Sequence, residues 1–117
     1  MKSPNTLINY VEFKTKDISK IKEFYTFAFG WKFTDYGPTY TAFENSGIEG
    51  GFRTIEEGEE IVNGVLVVLY HEDLAAIKDQ VLKFGGTLVQ DIFSFPGGRR
   101  FHFLDPSGNE LAIWSDK

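Results

Sequence analysis

An internal repeat with a constant offset of 56 residues constrains the fold of this chain more than any other feature. Each copy contains an aspartate suited to begin a helix, an apolar stripe at helical spacing and a glycine suited to end the helix. The corresponding residues are Asp17 and Asp73, Ile18 and Leu74, Ile21 and Ile77, Tyr25 and Val81, and Gly30 and Gly86. Because cap, stripe and stop keep one offset, the sequence predicts a tandem duplication.

Alternating β-rich runs flank both helical stripes, with one run before each helix and three after it. In the first copy the predicted strands are 8–13, 31–36, 39–44 and 48–53; in the second they are 65–70, 87–95, 99–104 and 110–114. Each copy is therefore a βαβββ module, and the predicted fold class is α+β. We expect one domain over 1–117, made of module one (7–54), an acidic, solvated linker (55–62) and module two (63–115).

Composition narrows the class of protein. The chain has 117 residues, of which 42% are hydrophobic and 16% aromatic, enough for one core and too apolar for a disordered protein. It has no cysteine, which excludes disulfides, thiolate metal sites and a cysteine nucleophile. No apolar run is long enough for a signal peptide or a membrane span, so we expect a cytoplasmic protein that does not bind membranes.

The charge balance argues against nucleic acid as a partner. The formal net charge is −5, and the only compact basic pair is Arg99-Arg100. A phosphate backbone repels such a surface unless a basic patch overrides the net charge, and two arginines are too few to form one.

Four segments carry a resemblance to a known family: 8–13 (INYVEF), Asp17 ahead of Phe24-Tyr25, 29–31 (FGW) and 100–111 (RFHFLDPSGNEL). At these spacings the chain resembles the vicinal oxygen chelate superfamily, also called the glyoxalase/bleomycin-resistance/dioxygenase group. It is most similar to small bacterial members described as related to lactoylglutathione lyase. The resemblance implies paired βαβββ modules whose mixed sheet curls around a cavity, with the helices on the outer faces, and commonly a homodimer.

The resemblance also implies where a metal would bind. In metal-bearing relatives four cavity-facing side chains hold it, and these positions fall at Tyr10, Gly51, Leu66 and Ala112. A divalent metal prefers imidazole, carboxylate or amide oxygen, and none of the four residues supplies one. We therefore expect neither a bound metal nor another cofactor.

Strand alternation predicts which side chains share the cavity face with those positions. Pairing the last two strands across the 105–109 turn places His102 opposite Ala112, with Arg100 also inward and Phe101 and Phe103 under a helix. The predicted wall combines aromatic, apolar and polar groups, as small-molecule sites do. It comprises Tyr10, Glu12, Thr41, Leu66, Val68, Tyr70, Arg100, His102, Ala112 and Trp114.

Several of these residues have two interpretations. Glu12 and Arg100 either pair with each other or contact a ligand, and His102 either relays a proton or fills the wall as a hydrogen-bonded residue. Tyr10 and Trp114 either stack on a planar ligand or plug the cavity. The Gly50-Gly51 pair either keeps bulk out of the cavity or marks a bulge.

Three functions follow as hypotheses. The first is a metal-independent binding protein for a small, partly aromatic or cationic metabolite, the cationic option resting on the acidic net charge. The second is a lyase or isomerase with an atypical catalytic site, in which Glu12 or His102 is the base and Arg100 holds an anionic oxygen. The third is a homodimeric interaction module with a vestigial pocket.

Overall fold

The computed structural model describes residues 5–117, which fall into two units divided between Glu59 and Glu60. In the first unit the elements are β1 (Tyr10–Thr15), α1 (Ile18–Phe29), β2 (Lys32–Asp35), β3 (Tyr40–Glu44) and β4 (Glu49–Thr54). In the second they are β5 (Val67–Tyr70), α2 (Leu74–Lys83), β6 (Thr87–Phe95), β7 (Gly98–Leu104) and β8 (Glu110–Ser115). The α+β class and the βαβββ order of both modules are confirmed.

The two sheets have the same topology. Their strand orders are β1-β4-β3-β2 and β5-β8-β7-β6, and in each sheet the first strand pairs in parallel with the last. The remaining pairs are antiparallel. Each sheet therefore has its first and last strands side by side, and its helix carries the chain from the first strand to the second strand at the opposite edge.

Helix capping follows the repeat. The Asp17 side chain accepts a hydrogen bond from the Lys20 amide at 3.0 Å, and Asp73 accepts one from the Ala76 amide at 3.1 Å. Gly30 ends α1 in the left-handed region at φ 76°, as predicted, because only glycine adopts this conformation without a steric penalty.

Each helix covers one face of its own sheet, and the buried apolar residues lie there. In the first unit Tyr25 stacks on Trp31 with ring centroids 4.5 Å apart and contacts Phe52 at 5.2 Å. In the second unit the predicted helix-facing residues are buried. They are Phe101, Phe103, Leu111 and Ile113, opposite Leu74, Ile77 and Val81 of α2.

The repeat extends to an ion pair that the sequence pattern had not revealed. Lys22 of α1 bonds Asp35 of β2 at 2.9 Å, and Lys78 of α2 bonds Asp91 of β6 at 2.6 Å. Both partners keep the offset of 56 residues. Exposed pairs of this kind contribute little stability, so the shared pair is evidence for the duplication and not a main source of stability.

The first strand begins later than predicted, at Tyr10 rather than Ile8, and continues to Thr15. Its partner explains the shift, because β4 begins at Glu49 and pairs with β1 from Tyr10 onward. No helix within residues 5–117 combines the length and apolar character needed to cross a membrane.

Candidate functional site

Strand register divides each sheet into a helix-facing side and a side that its own helix does not cover. We call the uncovered sides the first open face and the second open face. The first carries Tyr10, Glu12, Lys14, Tyr40, Ala42, Gly51 and Arg53. The second carries Val68, Tyr70, Phe93, Phe95, Arg100, His102, Glu110, Ala112 and Trp114.

On the first open face, Tyr40 is the centre of a hydrogen-bonded cluster. Its hydroxyl bonds the Tyr10 hydroxyl and also interacts with the Glu12 carboxylate. Burial, followed by these two hydrogen bonds, raises the pKa of Tyr40 well above its usual range. The phenol therefore stays protonated and donates within the cluster.

The same tyrosine accounts for Gly51. A Cβ at Gly51 would overlap the Tyr40 hydroxyl and would lie 2.7 Å from Tyr40 Cζ and 2.8 Å from the Thr41 carbonyl oxygen. At Gly50 a Cβ would overlap the Phe43 ring. The β1–β4 register is unbroken, so the glycine pair admits neighbouring side chains and is not a bulge.

The rest of this face is closed by an ion-pair cluster. Arg53 donates two hydrogen bonds to Glu59, at 2.9 and 2.7 Å, and Lys14 lies 3.1 Å from the same carboxylate. Arg53 first, then the Glu56 amide and Lys14, hold the pKa of Glu59 far below its usual range. Glu59 is thus bonded to the first sheet, although the sequence predicted it as part of a solvated linker.

Thr41 does not belong to this face. It pairs with Phe52 on the helix-facing side and is fully buried, with its hydroxyl donating to the Thr34 carbonyl oxygen at 3.3 Å. The prediction that Thr41 lines the site was wrong, because residues on β3 alternate and Tyr40 and Ala42 occupy the open face instead.

On the second open face, the register matches the prediction. His102 pairs with Ala112, and Arg100 pairs with Trp114. The turn between β7 and β8 fixes this register: the buried Asp105 carboxylate accepts hydrogen bonds from the Ser107 amide at 2.9 Å and the Asn109 amide at 3.0 Å. A slip of one residue would turn Arg100 and His102 toward the helix.

His102 is held through one ring nitrogen and free at the other. Nδ1 lies 2.9 Å from Glu110 Oε2, and the ring stacks on Phe93 with centroids 5.9 Å apart. The residue is 8% exposed, and Nε2 is buried without a hydrogen-bond partner among the residues that the structure describes. In the neutral imidazole, a proton on Nδ1 donated to the Glu110 carboxylate would leave Nε2 with a lone pair.

Arg100 lies beside His102 on the same face. Its guanidinium carbon is 5.4 Å from the Phe93 ring centroid and 5.7 Å from that of Phe95. Its Nε is buried without a hydrogen-bond partner within residues 5–117. The alternative that Arg100 pairs with Glu12 joins residues of different units and stays a prediction.

The predicted apolar wall residues of module two flank these polar groups. Val68 pairs with Ala112 and Tyr70 with Trp114, whose rings are 5.3 Å apart. Leu66 precedes β5 and lines a small cavity of about 180 Å³ beside Glu110. The structure thus brings Val68, Tyr70, Arg100, His102 and Trp114 onto one face, with Leu66 next to it, while Tyr10 and Glu12 lie on the first open face.

The donor set at the family's metal positions does not fit a divalent ion. Gly51, Leu66 and Ala112 have no donor atom in their side chains, and the Tyr10 phenol is bonded to Tyr40. In the part of the chain that the structure covers, no three His, Cys, Asp or Glu side chains form a set that could hold a metal.

Three residues of the second open face were missed by the sequence argument. Glu110 could have been found, because it lies two residues before Ala112 on β8 and so shares its face. Phe93 and Phe95 were hidden, because the β6–β7 register shifts between Leu88 and Phe93 and breaks the alternation.

A larger depression of about 510 Å³ lies beside α1 in the first unit, where Phe27, Trp31 and Phe33 are among the lining residues. Of the two lysines that line it, Lys22 and Lys32, the first is bonded to Asp35. The buried polar side-chain atoms left without partners among residues 5–117 are on Arg100 and His102, so the second open face is the stronger candidate site.

Comparison with known proteins identifies the family. The model of the Glyoxalase/Bleomycin resistance protein/Dioxygenase superfamily matches residues 7–113. The chain belongs to this superfamily. The protein CFP32 of Mycobacterium bovis, which carries a glyoxylase name, is 29% identical over 118 aligned residues. That alignment covers 91% of this chain but 44% of CFP32, so the chain spans less than half the length of this relative.

Solved structures of the superfamily share the fold. A family enzyme from Burkholderia phytofirmans has a TM-score of 0.82 at 18% identity, covering 93% of this chain and 98% of that one. A glyoxalase-related enzyme from Fulvimarina pelagi has a TM-score of 0.80 at 16% identity, covering 94% and 88%. A lactoylglutathione lyase from Agrobacterium tumefaciens has a TM-score of 0.72 at 14% identity, covering 97% and 96%.

Proposed function

We propose that this protein binds a small organic molecule on the second open face and holds it without a metal ion. The observation that carries the proposal is the pair of buried nitrogens, Arg100 Nε and His102 Nε2, that lack hydrogen-bond partners among residues 5–117. Burying a polar group without a partner costs about 1–3 kcal/mol. Each buried group in this state needs an explanation, and a ligand that completes its hydrogen bonds is the one we propose here.

The surroundings of these nitrogens support a ligand of organic character. The rings of Tyr70 and Trp114 meet edge to face, and the Phe95 ring centroid lies 6.4 Å from that of Trp114. Aromatic walls with a few convergent polar groups are typical of small-molecule sites. The metal-independent part of the proposal rests on Gly51, Leu66 and Ala112, which have no ligand atoms to offer.

A lyase or isomerase is the second candidate, and the His102–Glu110 pair favours it. A carboxylate that holds Nδ1–H orients the imidazole and leaves Nε2 available as a base, while Arg100 would stabilise an anionic oxygen. Glu12, the alternative base, is engaged with Tyr40. Relatives of this chain carry glyoxylase and lactoylglutathione lyase names, which is the same class of reaction as this candidate, but those names describe the relatives.

A homodimeric interaction module is the third candidate. Leu66, Val68 and Tyr70 are 38%, 42% and 50% exposed, and a partner could cover them. This candidate predicts that a variant with a charge at Val68 becomes monomeric, whereas the binding proposal predicts loss of a small ligand whether or not the protein dimerises.

Binding can be tested with a broad panel of metabolites and antibiotics. A compound that binds the folded chain raises the midpoint of thermal unfolding, and amide chemical shifts then locate the site. We expect saturable binding with shifts in β7 and β8, lost in the Arg100→Gln/His102→Gln double variant and kept in Arg99→Gln. No stabilisation by any compound would contradict the proposal.

Turnover separates the first two candidates. If the protein only binds, its ligand is recovered chemically unchanged after prolonged incubation. If it is an enzyme, product accumulates and the rate falls in His102→Ala or Glu12→Ala. Activity that survives both substitutions would exclude the enzyme mechanism considered above.

The metal content of the purified protein tests the proposal that binding does not need a metal ion. Protein purified after growth with nickel, zinc, iron and manganese should contain far less than one metal ion per chain. Near-stoichiometric metal would contradict metal independence and would favour glyoxalase-like or dioxygenase chemistry over binding alone.

A further inference from the structure

The charge of the ligand follows from the surroundings of Arg100. Its guanidinium lies over the rings of Phe93 and Phe95, at 5.4 and 5.7 Å, but a ring face attracts the cation without accepting its N–H hydrogen bonds in full. None of the hydrogen bonds or ion pairs within the second unit involves this guanidinium, and its Nε is buried. The neighbouring Arg99 differs, because it donates to the Lys117 carbonyl oxygen.

We propose, on the basis of the function proposed above, that Arg100 receives the carboxylate of a flat, monoanionic ligand. A planar guanidinium matches a carboxylate through two parallel hydrogen bonds, and the aromatic residues beside it suit a ring or another flat body. Phe93 contacts both Arg100 and His102, so a ring lying near it reaches both polar groups. His102 Nε2 then accepts a hydrogen bond from a hydroxyl or N–H on the ligand body.

A single negative charge fits better than two. Glu110 lies 2.9 Å from His102, and Asp116 accepts a hydrogen bond from Tyr70 at 2.7 Å, so two carboxylates accompany one unpaired guanidinium on and beside this face. A phosphate dianion would meet more repulsion from them than a carboxylate does.

This inference reverses the expectation of a cationic ligand drawn from the net charge. Net charge acts over distances that salt screens within about 8–10 Å, and it mainly changes the rate of encounter. The half-buried Arg100 side chain, whose buried Nε has no acceptor among residues 5–117, acts at contact distance, so we expect it to determine which charge is bound.

Three small probes of similar shape test the charge directly: benzoate, its neutral analogue benzamide, and phenyl phosphate. Titrations of the full chain are followed by amide chemical shifts and by the fluorescence of Trp114, with Trp31 as an internal background. For probes of this size a Kd of the order of 1–10 mM is expected for a specific contact. We expect benzoate to bind at least about tenfold more tightly than benzamide, since hydrogen bonds to charged groups have this effect.

Two matched arginine variants then test whether Arg100 causes the preference for benzoate over benzamide. Arg100→Gln should lose the benzoate preference while keeping weak benzamide binding, whereas Arg99→Gln removes the same charge from the other side of β7 and should keep the preference. Glu12→Gln is a further control: if Glu12 held Arg100, this substitution would strengthen benzoate binding, which would contradict an unpaired guanidinium.

The remaining outcomes separate this inference from the proposed function. Equal binding of benzoate and benzamide at β7 and β8 would overturn the carboxylate and leave small-molecule binding intact. Tighter binding of phenyl phosphate would assign the site to phosphate instead. No binding of any of the three probes at this face would overturn the flat monoanionic ligand, whereas small-molecule binding itself is contradicted only if the broad panel also fails to stabilise the protein.

Discussion

The two open faces are built on the same scaffold and differ in how their polar groups are bonded. Ala42 pairs with Gly51 in the first sheet as His102 pairs with Ala112 in the second, so Tyr40 and Arg100 occupy corresponding positions. Tyr40 is bonded to Tyr10 and Glu12. Arg100 lies over the rings of Phe93 and Phe95, and its buried Nε has no hydrogen-bond partner among residues 5–117.

This difference is the reason we place the proposed binding site in module two. The first open face completes its hydrogen bonds with its own side chains, and the ion pairs of Arg53 with Glu59 close the rest. The second has two buried nitrogens without hydrogen-bond partners among the residues that the structure describes. A fold tolerates the energetic cost of buried groups without partners where binding a ligand offsets it. We therefore expect substitutions to reduce stability in module one and ligand recognition in module two.

The largest expected effect is that of Gly51→Ala. The new Cβ would overlap Tyr40 and should lower the free energy of unfolding by about 1–3 kcal/mol, as overpacking does. Urea denaturation measures the loss. The control is Gly64→Ala, where nothing lies within 4 Å. A smaller loss in Gly51→Ala/Tyr40→Ala than the sum of the single variants would confirm Tyr40 as the cause; strict additivity would contradict it.

A second prediction compares the corresponding positions directly. Tyr40→Phe removes satisfied hydrogen bonds and should cost about 1 kcal/mol. Arg100→Met removes an unsatisfied buried donor and should change the free energy of unfolding by less than about 0.5 kcal/mol or raise it. Urea titrations of both variants check this. If Arg100→Met costs more than Tyr40→Phe, the chain itself satisfies Arg100 and the contrast between the faces fails.

Alkaline pH should also act on module one through Tyr40. Its pKa is raised in the folded protein, so its contribution to stability is complete below the unfolded value of about 10 and is lost as the pH rises above it. Tyr40→Phe should therefore lose less stability than the wild type between about pH 9 and pH 11. Tyr36→Phe, at an exposed tyrosine, should follow the wild type.

The smallest expected effect is at acid pH. Folding lowers the pKa of Glu59, so its contribution is present above the unfolded value of about 4.3 and is lost as the pH falls below it. Glu59→Gln should flatten the decline in thermal stability below about pH 4.3, while Glu57→Gln should not. An equal response of both variants would show that Glu59 gains nothing from Arg53 and Lys14.

Much of the fold could be predicted from the sequence because each element assigned in one copy could be checked against the corresponding residues of the other copy. The caps at Asp17 and Asp73 and the stops near Gly30 and Gly86 fixed both helices, and the 105–109 turn fixed the pairing of His102 with Ala112. Strand alternation then placed Arg100, His102, Tyr70 and Trp114 on one face.

The misses arose where alternation alone is insufficient. Thr41 was assigned to the wrong side because no turn of known length set the register of β3. Phe93 was not predicted because the pairing of β6 with β7 is irregular. Glu59 was predicted to be solvated because a run of acidic residues does not show that one of them bonds Arg53, which lies on β4. Whether a buried nitrogen has a partner depends on coordinates, which a sequence does not contain.

The Asp105 turn has a consequence for how such a protein can acquire new ligands. The Asp105 carboxylate, which sets the register of β7 and β8, lies in the turn and outside the second open face, so we expect substitutions on that face to leave the register unchanged. Positions 100, 102 and 114 can then be varied together in a library while Asp105 and Asn109 are kept. We expect such a library to change which ligand is bound while the 105–109 turn keeps β7 and β8 in register.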